Sequence, residues 1–118
     1  MFLSRKLLIA LCAMLYPATS FADYPIFSDD RLTLGRSIWL ENCEGCHAYG
    51  IAGAPLATSK KAWSARIEKG KTTLYLHAIE GFFGPGGTMM PARGGNDSLT
   101  DREVSAAVDY MILLATDD

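Results

Sequence analysis

The chain has 118 residues, 49% hydrophobic and 20% charged, with 11 basic and 13 acidic side chains and a formal net charge of −2. That size suits one small domain. An acidic balance argues against nucleic acid as a partner, because neutralising phosphates takes a basic surface.

Residues 1–22 read as an export leader. Arg5 and Lys6 make a positive start, Leu7 to Tyr16 form an apolar run, and Ser20-Phe21-Ala22 supplies the small residues that signal peptidase needs. The run is shorter than the about 20 apolar residues that span a bilayer; an uncleaved N-terminal anchor is the alternative. Cleavage after Ala22 leaves one domain from Asp23 to Asp118, 96 residues with 9 basic and 13 acidic side chains, destined for the periplasm. Cys12 departs with the leader, and Cys43 and Cys46 remain.

Asp23 to Phe27 reads as an extended lead-in. Ser28 can cap a first helix whose opening turn holds Asp29 and Asp30, where the dipole favours acid. The helix runs to about Asn42. Gly35 and Trp39, four apart, share a face on which the small residue admits a close neighbour and the indole covers it.

The helix delivers Cys43-Glu44-Gly45-Cys46-His47, the Cys-x-x-Cys-His pattern of c-type haem attachment. Two thiols at that spacing can each bond one porphyrin vinyl group, and the adjacent imidazole then becomes the proximal iron ligand. The alternatives fit less well. A redox dithiol belongs in a βαβ setting, whereas the flanks of Cys43 read helical. A structural zinc site takes four ligands, and beyond these three the chain offers only Cys12 and His77. With both cysteines committed to haem, no disulfide is available, and a buried porphyrin must complete the small core.

Lys60 to Lys69 reads as a short helix ended by Gly70, and Thr72 to Glu80 as another ended by Gly81. Lys60, Lys61, Arg66, Lys69 and Lys71 concentrate basic charge there, either a solvated helix face or a rim that steers an acidic partner. Gly84 to Gly95 then forms a loop bounded by glycines and stiffened by Pro85 and Pro91. The last helix is the clearest element. Thr100-Asp101-Arg102-Glu103 is a capping box, followed by Val104, Ala107, Val108, Met111, Ile112 and Ala115 at helical spacing. That stripe needs a partner, and the Gly35 and Trp39 face provides it. No segment alternates convincingly, so the fold is all-α, with four helices.

The iron needs a sixth ligand or an open site, a choice that separates electron transfer from catalysis. Met89, Met90, Met111 and His77 are the contenders. Met111 belongs to the apolar stripe and His77 to a helical stretch. Pro91 pushes its predecessor out of the helical region, which suits a Met90 side chain held toward the iron, with Met89 packing at the haem edge.

His47 with its two cysteines, Gly53-Ala54-Pro55, Trp63, Arg66, the Met90-Pro91-Ala92-Arg93-Gly94-Gly95 loop and the Val104 to Met111 helix together resemble a class I cytochrome c of the short bacterial cytochrome c-five group. The resemblance covers nearly all of Arg31 to Leu114. It implies a single-domain fold with crossing terminal helices, formed at Gly35, Trp39 and Tyr110, around one covalent haem c. It also implies Met90 as axial ligand, a Pro55 carbonyl accepting the His47 Nδ1 proton, and Trp63 and Arg66 near the haem propionates. Some members carry an additional cysteine pair near the methionine loop, which this chain lacks.

The expected role is therefore an electron-transfer protein and not an enzyme: a monomeric carrier between respiratory redox partners, with transient contact to membrane-bound complexes. A cytochrome subunit of a periplasmic dehydrogenase or oxidase is the alternative, and a haem enzyme or gas binder with a labile methionine is a third.

Overall fold

The computed structural model describes residues 23–117; the segment read as an export leader, with Cys12, lies outside the described residues. The elements in chain order are α1 (Asp30–Asn42), α2 (Glu44–His47), α3 (Lys60–Ile67), α4 (Lys71–Glu80), β1 (Phe82–Phe83), β2 (Met89–Met90) and α5 (Asp101–Thr116). Short 3₁₀ turns occupy Ile51–Gly53, Pro85–Gly87 and Ala92–Gly95. The four expected helices are present and the domain is mainly helical.

Three details differ from expectation. Asp29, not Ser28, caps α1: its carboxylate accepts the Leu32 N–H at 2.9 Å. The third helix stops at Ile67, and Gly70 (φ +89°) serves as the N-cap of α4. Two residues on each side of the glycine-rich loop pair antiparallel, Phe82 with Met90 and Phe83 with Met89, too short a run for alternation to reveal.

The core is the crossing of α1 with α5. A Cβ on Gly35 would lie 2.1 Å from the Ala106 carbonyl oxygen, so only glycine allows the helices to approach this closely. Trp39 and Tyr110, both at 0% exposure, fill the crossing. The Trp39 indole N–H donates to the Met111 sulfur at 3.3 Å, and Tyr24 from the lead-in meets the indole edge-on, centroids 4.7 Å apart. The Tyr110 hydroxyl donates to the Pro25 carbonyl at 2.8 Å, which holds the lead-in against the helix pair. The capping box forms: Glu103 N–H donates to Thr100 Oγ1 at 3.2 Å, and Thr100 N–H donates to Glu103 Oε2 at 2.7 Å.

A buried carboxylate ties three helices together. Asp109 on α5 accepts from Arg31 Nε of α1 at 2.5 Å and from the Tyr75 hydroxyl of α4, and pairs with Lys71 Nζ at 3.3 Å. Burial pushes its pKa up, but the Tyr75, Arg31 and Lys71 partners outweigh that and hold it below the usual carboxylate value. A carboxyl depressed by folding adds stability that is complete above its unfolded pKa, ~3.9, and lost as pH falls through the lower folded value. The wild type should therefore lose more stability than Asp109→Asn as pH drops below about 4. Denaturant midpoints taken across that range check this, and parallel pH profiles would remove the carboxylate from the account.

Candidate functional site

A cavity of about 290 Å³ opens beneath α1 and α5, walled by α2, α3, α4 and the two loops. Both cysteines and His47 line it, as do Met89 and Met90, Pro55, Trp63 and Arg66. All the residues singled out for cofactor binding in the sequence thus meet in one space. Its remaining walls are mainly apolar: Ile38, Leu74, Ala78, Val104, Ala107 and Val108.

Local folding explains the floor. Cys43 leaves α1 as its C-cap, and the one-turn helix α2 then carries Cys46 and His47, with His47 N–H donating to the Cys43 carbonyl at 3.0 Å. His47 is buried, 6% exposed. Its Nδ1 lies 2.9 Å from the Pro55 carbonyl oxygen. A carbonyl only accepts, so Nδ1 carries the proton and Nε2 keeps its lone pair. Burial pulls the imidazole below its usual pKa; the Pro55 bond opposes this, and the Arg66 charge adds to it. A neutral, oriented imidazole with a free Nε2 is suited to hold a metal. Burial, with Cys46 contributing, pushes the Cys43 thiol up to about 11. It is therefore protonated at neutral pH, unlike the thiolate of a redox dithiol.

The hairpin orients the methionines. β2 turns Met90 inward against Leu74, Ala78, Val104, Val108 and Ile112, while Met89 is 51% exposed at the cavity mouth. Met111 also lines the space, but its sulfur accepts the Trp39 indole N–H. His77 stacks on Phe82 with centroids 4.0 Å apart and an interplanar angle of 19°. Trp63 is buried and donates its indole N–H to the Leu56 carbonyl at 2.9 Å; its ring lies 6.1 Å from that of His47. One Arg66 donor is committed to the Ala62 carbonyl.

The charged side chains lining the cavity are Arg66, Lys69 and Arg93, all cationic in an acidic chain. Arg93 is paired with Asp101 at 2.7 Å, and Lys69 lies 5.7 Å from the centre of the Phe82 ring. Phe82 carries no signal as a site residue in the sequence, and Lys69 stands out there only as one of the basic run from Lys60 to Lys71. Turn residues between two apolar pairs, Phe82-Phe83 and Met89-Met90, were the available signal for the hairpin.

The donor set suits one cofactor. Two thiols a turn apart, a neutral imidazole, thioether sulfurs, an apolar space and cations for two carboxylates match the chemistry of haem c.

The profile of the family described as "Cytochrome C oxidase, cbb3-type, subunit III" matches residues 30–111. Cytochrome c-555 of Prosthecochloris aestuarii is 39% identical over 84 residues, 69% of this chain and 85% of that protein. The chain belongs to the class I c-type cytochromes. Cytochrome c-555 of Chlorobaculum tepidum is 45% identical over 78 residues, covering 66% of this chain and 71% of the relative. That of Chlorobaculum thiosulfatiphilum is 42% identical over 78 residues, 66% of this chain and 90% of the relative. Among solved structures, a chain of an electron transfer complex of nitrite reductase with cytochrome c superposes with a TM-score of 0.60 at 33% identity, covering 70% of this cytochrome and 94% of that chain. As a member of this class the cytochrome carries covalently bound haem c and is a monohaem electron carrier, not an enzyme.

Proposed function

We propose that this cytochrome passes single electrons between redox proteins outside the cytoplasm, with Cys43 and Cys46 as the attachment points, His47 and Met90 as axial ligands, and the iron closed to exogenous ligands while Met90 is bound. The observation that carries this reading is the shared cavity: the imidazole with its bonded Nδ1 and the inward member of the methionine pair both line the space that the two thiols enter.

When bound, haem supplies one-electron exchange between Fe(III) and Fe(II). The protein's residues set its terms. Pro55 fixes the His47 ring and raises its basicity as a ligand. A neutral Met90 thioether favours the ferrous state, as do the apolar walls, so the potential is positive. Arg66 and Lys69, which line the cavity with Trp63, would offer cations to the two propionates.

Partners meet a face poor in charge. Ala48 to Ser59 and Gly81 to Ala92 contain no charged residue, and these segments touch where a Cβ on Gly53 would meet Thr88 at 2.5 Å. Tyr49, Ile51, Leu56, Phe83 and Met89 are exposed on them. A structural neighbour solved in an electron transfer complex of nitrite reductase with cytochrome c supports an oxidoreductase as the kind of partner. Such a partner is respiratory in this reading, and the carrier is periplasmic and monomeric. Among the described residues no helix is long and apolar enough to cross a membrane.

The family description, which names an oxidase subunit, favours a second reading: a cytochrome held in a larger complex. Size-exclusion chromatography of the native fraction separates the two.

The attachment claim has a direct test. Replacing Cys43 and Cys46 by alanine should abolish covalently bound haem, read as loss of the haem-stained band on a denaturing gel. Full retention of that stain in the double variant would overturn the attachment assignment.

A further inference from the structure

The loop that carries Met90 is fastened at its far end to α1, the helix that leads into Cys43. Asn96 Nδ2 donates to Asn42 Oδ1 at 2.9 Å, across 54 positions of chain. Asn42 is the last residue of α1, next to Cys43. Both amides are otherwise engaged: Asn42 Nδ2 donates to the Ile38 carbonyl at 3.0 Å, and Asn96 Oδ1 accepts the Ser98 N–H at 3.1 Å. The result is one relay from the α1 backbone, through two side chains, into the loop.

The backbone beside it is shaped for the same contact. Arg93, Gly94 and Gly95 take successive φ values of +55°, +62° and +85°. A Cβ on Gly94 would lie 2.9 Å from the Asn42 carbonyl oxygen, so the loop sits directly on the end of α1. Arg93 is one of two non-glycine residues among those described with positive φ, a region that L side chains rarely adopt. Its guanidinium is held by the Leu99 carbonyl at 2.9 Å and Asp101 at 2.7 Å. Contacts to α1 and to the start of α5 thus stabilise a turn the chain does not favour by itself.

We infer that Asn42 and Asn96 are positioning residues for the sixth ligand: their amide pair is a latch that keeps the methionine loop seated and sets how often Met90 leaves the iron. The inference rests on the assignment of Met90. The latch acts on opening and not on the ligand itself. Asn42 and Asn96 touch no reacting atom, and the near arm of the loop is held separately by the pairing of Phe82 with Met90. Breaking the pair loosens the seat of the loop on α1, with Arg93 still held at Leu99 and Asp101, and leaves the α1 and α5 crossing intact.

Cyanide binding to the ferric holoprotein measures this opening, because at saturating cyanide the rate is that of ligand departure. Asn96→Asp keeps the acceptor for Ser98 but removes the donor to Asn42. The binding rate should rise roughly threefold to tenfold, the loss expected for one net hydrogen bond. Asn42→Ala should do the same, and the double variant should lie within about twofold of the faster single, since both remove one interaction. Tyr110→Phe, which releases only the lead-in, should bind at the wild-type rate. Wild-type rates in both asparagine variants would overturn the latch while leaving Met90 as ligand, as would a double variant whose effects multiply. If Met90→Ala keeps the sulfur-to-iron charge-transfer band, the ligand assignment fails and the latch with it.

Discussion

Trp39→Ala should destabilise the holoprotein by about 3–5 kcal/mol, the range for truncating a large aromatic in a well-packed core. The indole is fully buried where α1 crosses α5, and its loss leaves three partners exposed to a void: the edge-on Tyr24 ring, the Tyr110 ring at 6.0 Å, and the Met111 sulfur without its donor. The crossing has little room to collapse, because the Gly35 and Ala106 backbones are already in contact. Small domains are stable by about 5–15 kcal/mol in total, so one substitution removes a large share. Denaturant unfolding of the holoprotein checks this. An unchanged midpoint would show that the crossing does not depend on the indole. The cavity shares Ile38, Ala107 and Met111 with this core, so a lower yield of haem-loaded protein should accompany the lost stability.

The second large effect concerns reactivity. Met90→Ala should lower the reduction potential and let the ferric iron bind cyanide and the ferrous iron carbon monoxide at once, without the ligand departure that limits binding in the wild type. A thioether favours Fe(II), and its loss leaves the ferric state without a ligand that disfavours it. Met89→Ala should change neither property, because Met89 is half-exposed at the cavity mouth and Met90 is the more buried residue of β2. Redox titration and ligand-binding spectra of the two variants decide between them. If Met89→Ala opens the iron instead, the ligand assignment is off by one residue. If His77→Ala alone does so, the site is bis-histidine, despite the stacking of His77 on Phe82.

Features that depend on short-range chemistry were legible in the sequence. The capping box and the stripe from Val104 to Ala115 give α5 by helical period alone, and the Gly35 and Trp39 spacing identifies the face it meets. The cysteine and histidine pattern is a covalent requirement, so it can be read without a fold. Boundaries fared worse where neighbours compete for one role. Ser28 and Asp29 can each cap a helix, and the longer reach of a carboxylate to Leu32 N–H is decided by the backbone geometry. The β1 and β2 pair is two residues long, too short for a period of two to register. The choice between Met89 and Met90 rested on Pro91, yet the alternation of a hairpin strand is what turns one methionine in and the other out. Asn42 and Asn96 carry no local signal, because their partnership arises only when the methionine loop is folded onto the end of α1.

The proposed function depends on one haem, attached through its porphyrin at Cys43 and Cys46, with its iron between His47 and the Met90 sulfur. The near-infrared spectrum of the ferric holoprotein addresses it most directly, since the weak sulfur-to-iron charge-transfer band exists only when a thioether is bound. The band should be present in the wild type and in Met89→Ala, and lost in Met90→Ala. A wild-type ferric protein without the band at neutral pH would contradict it.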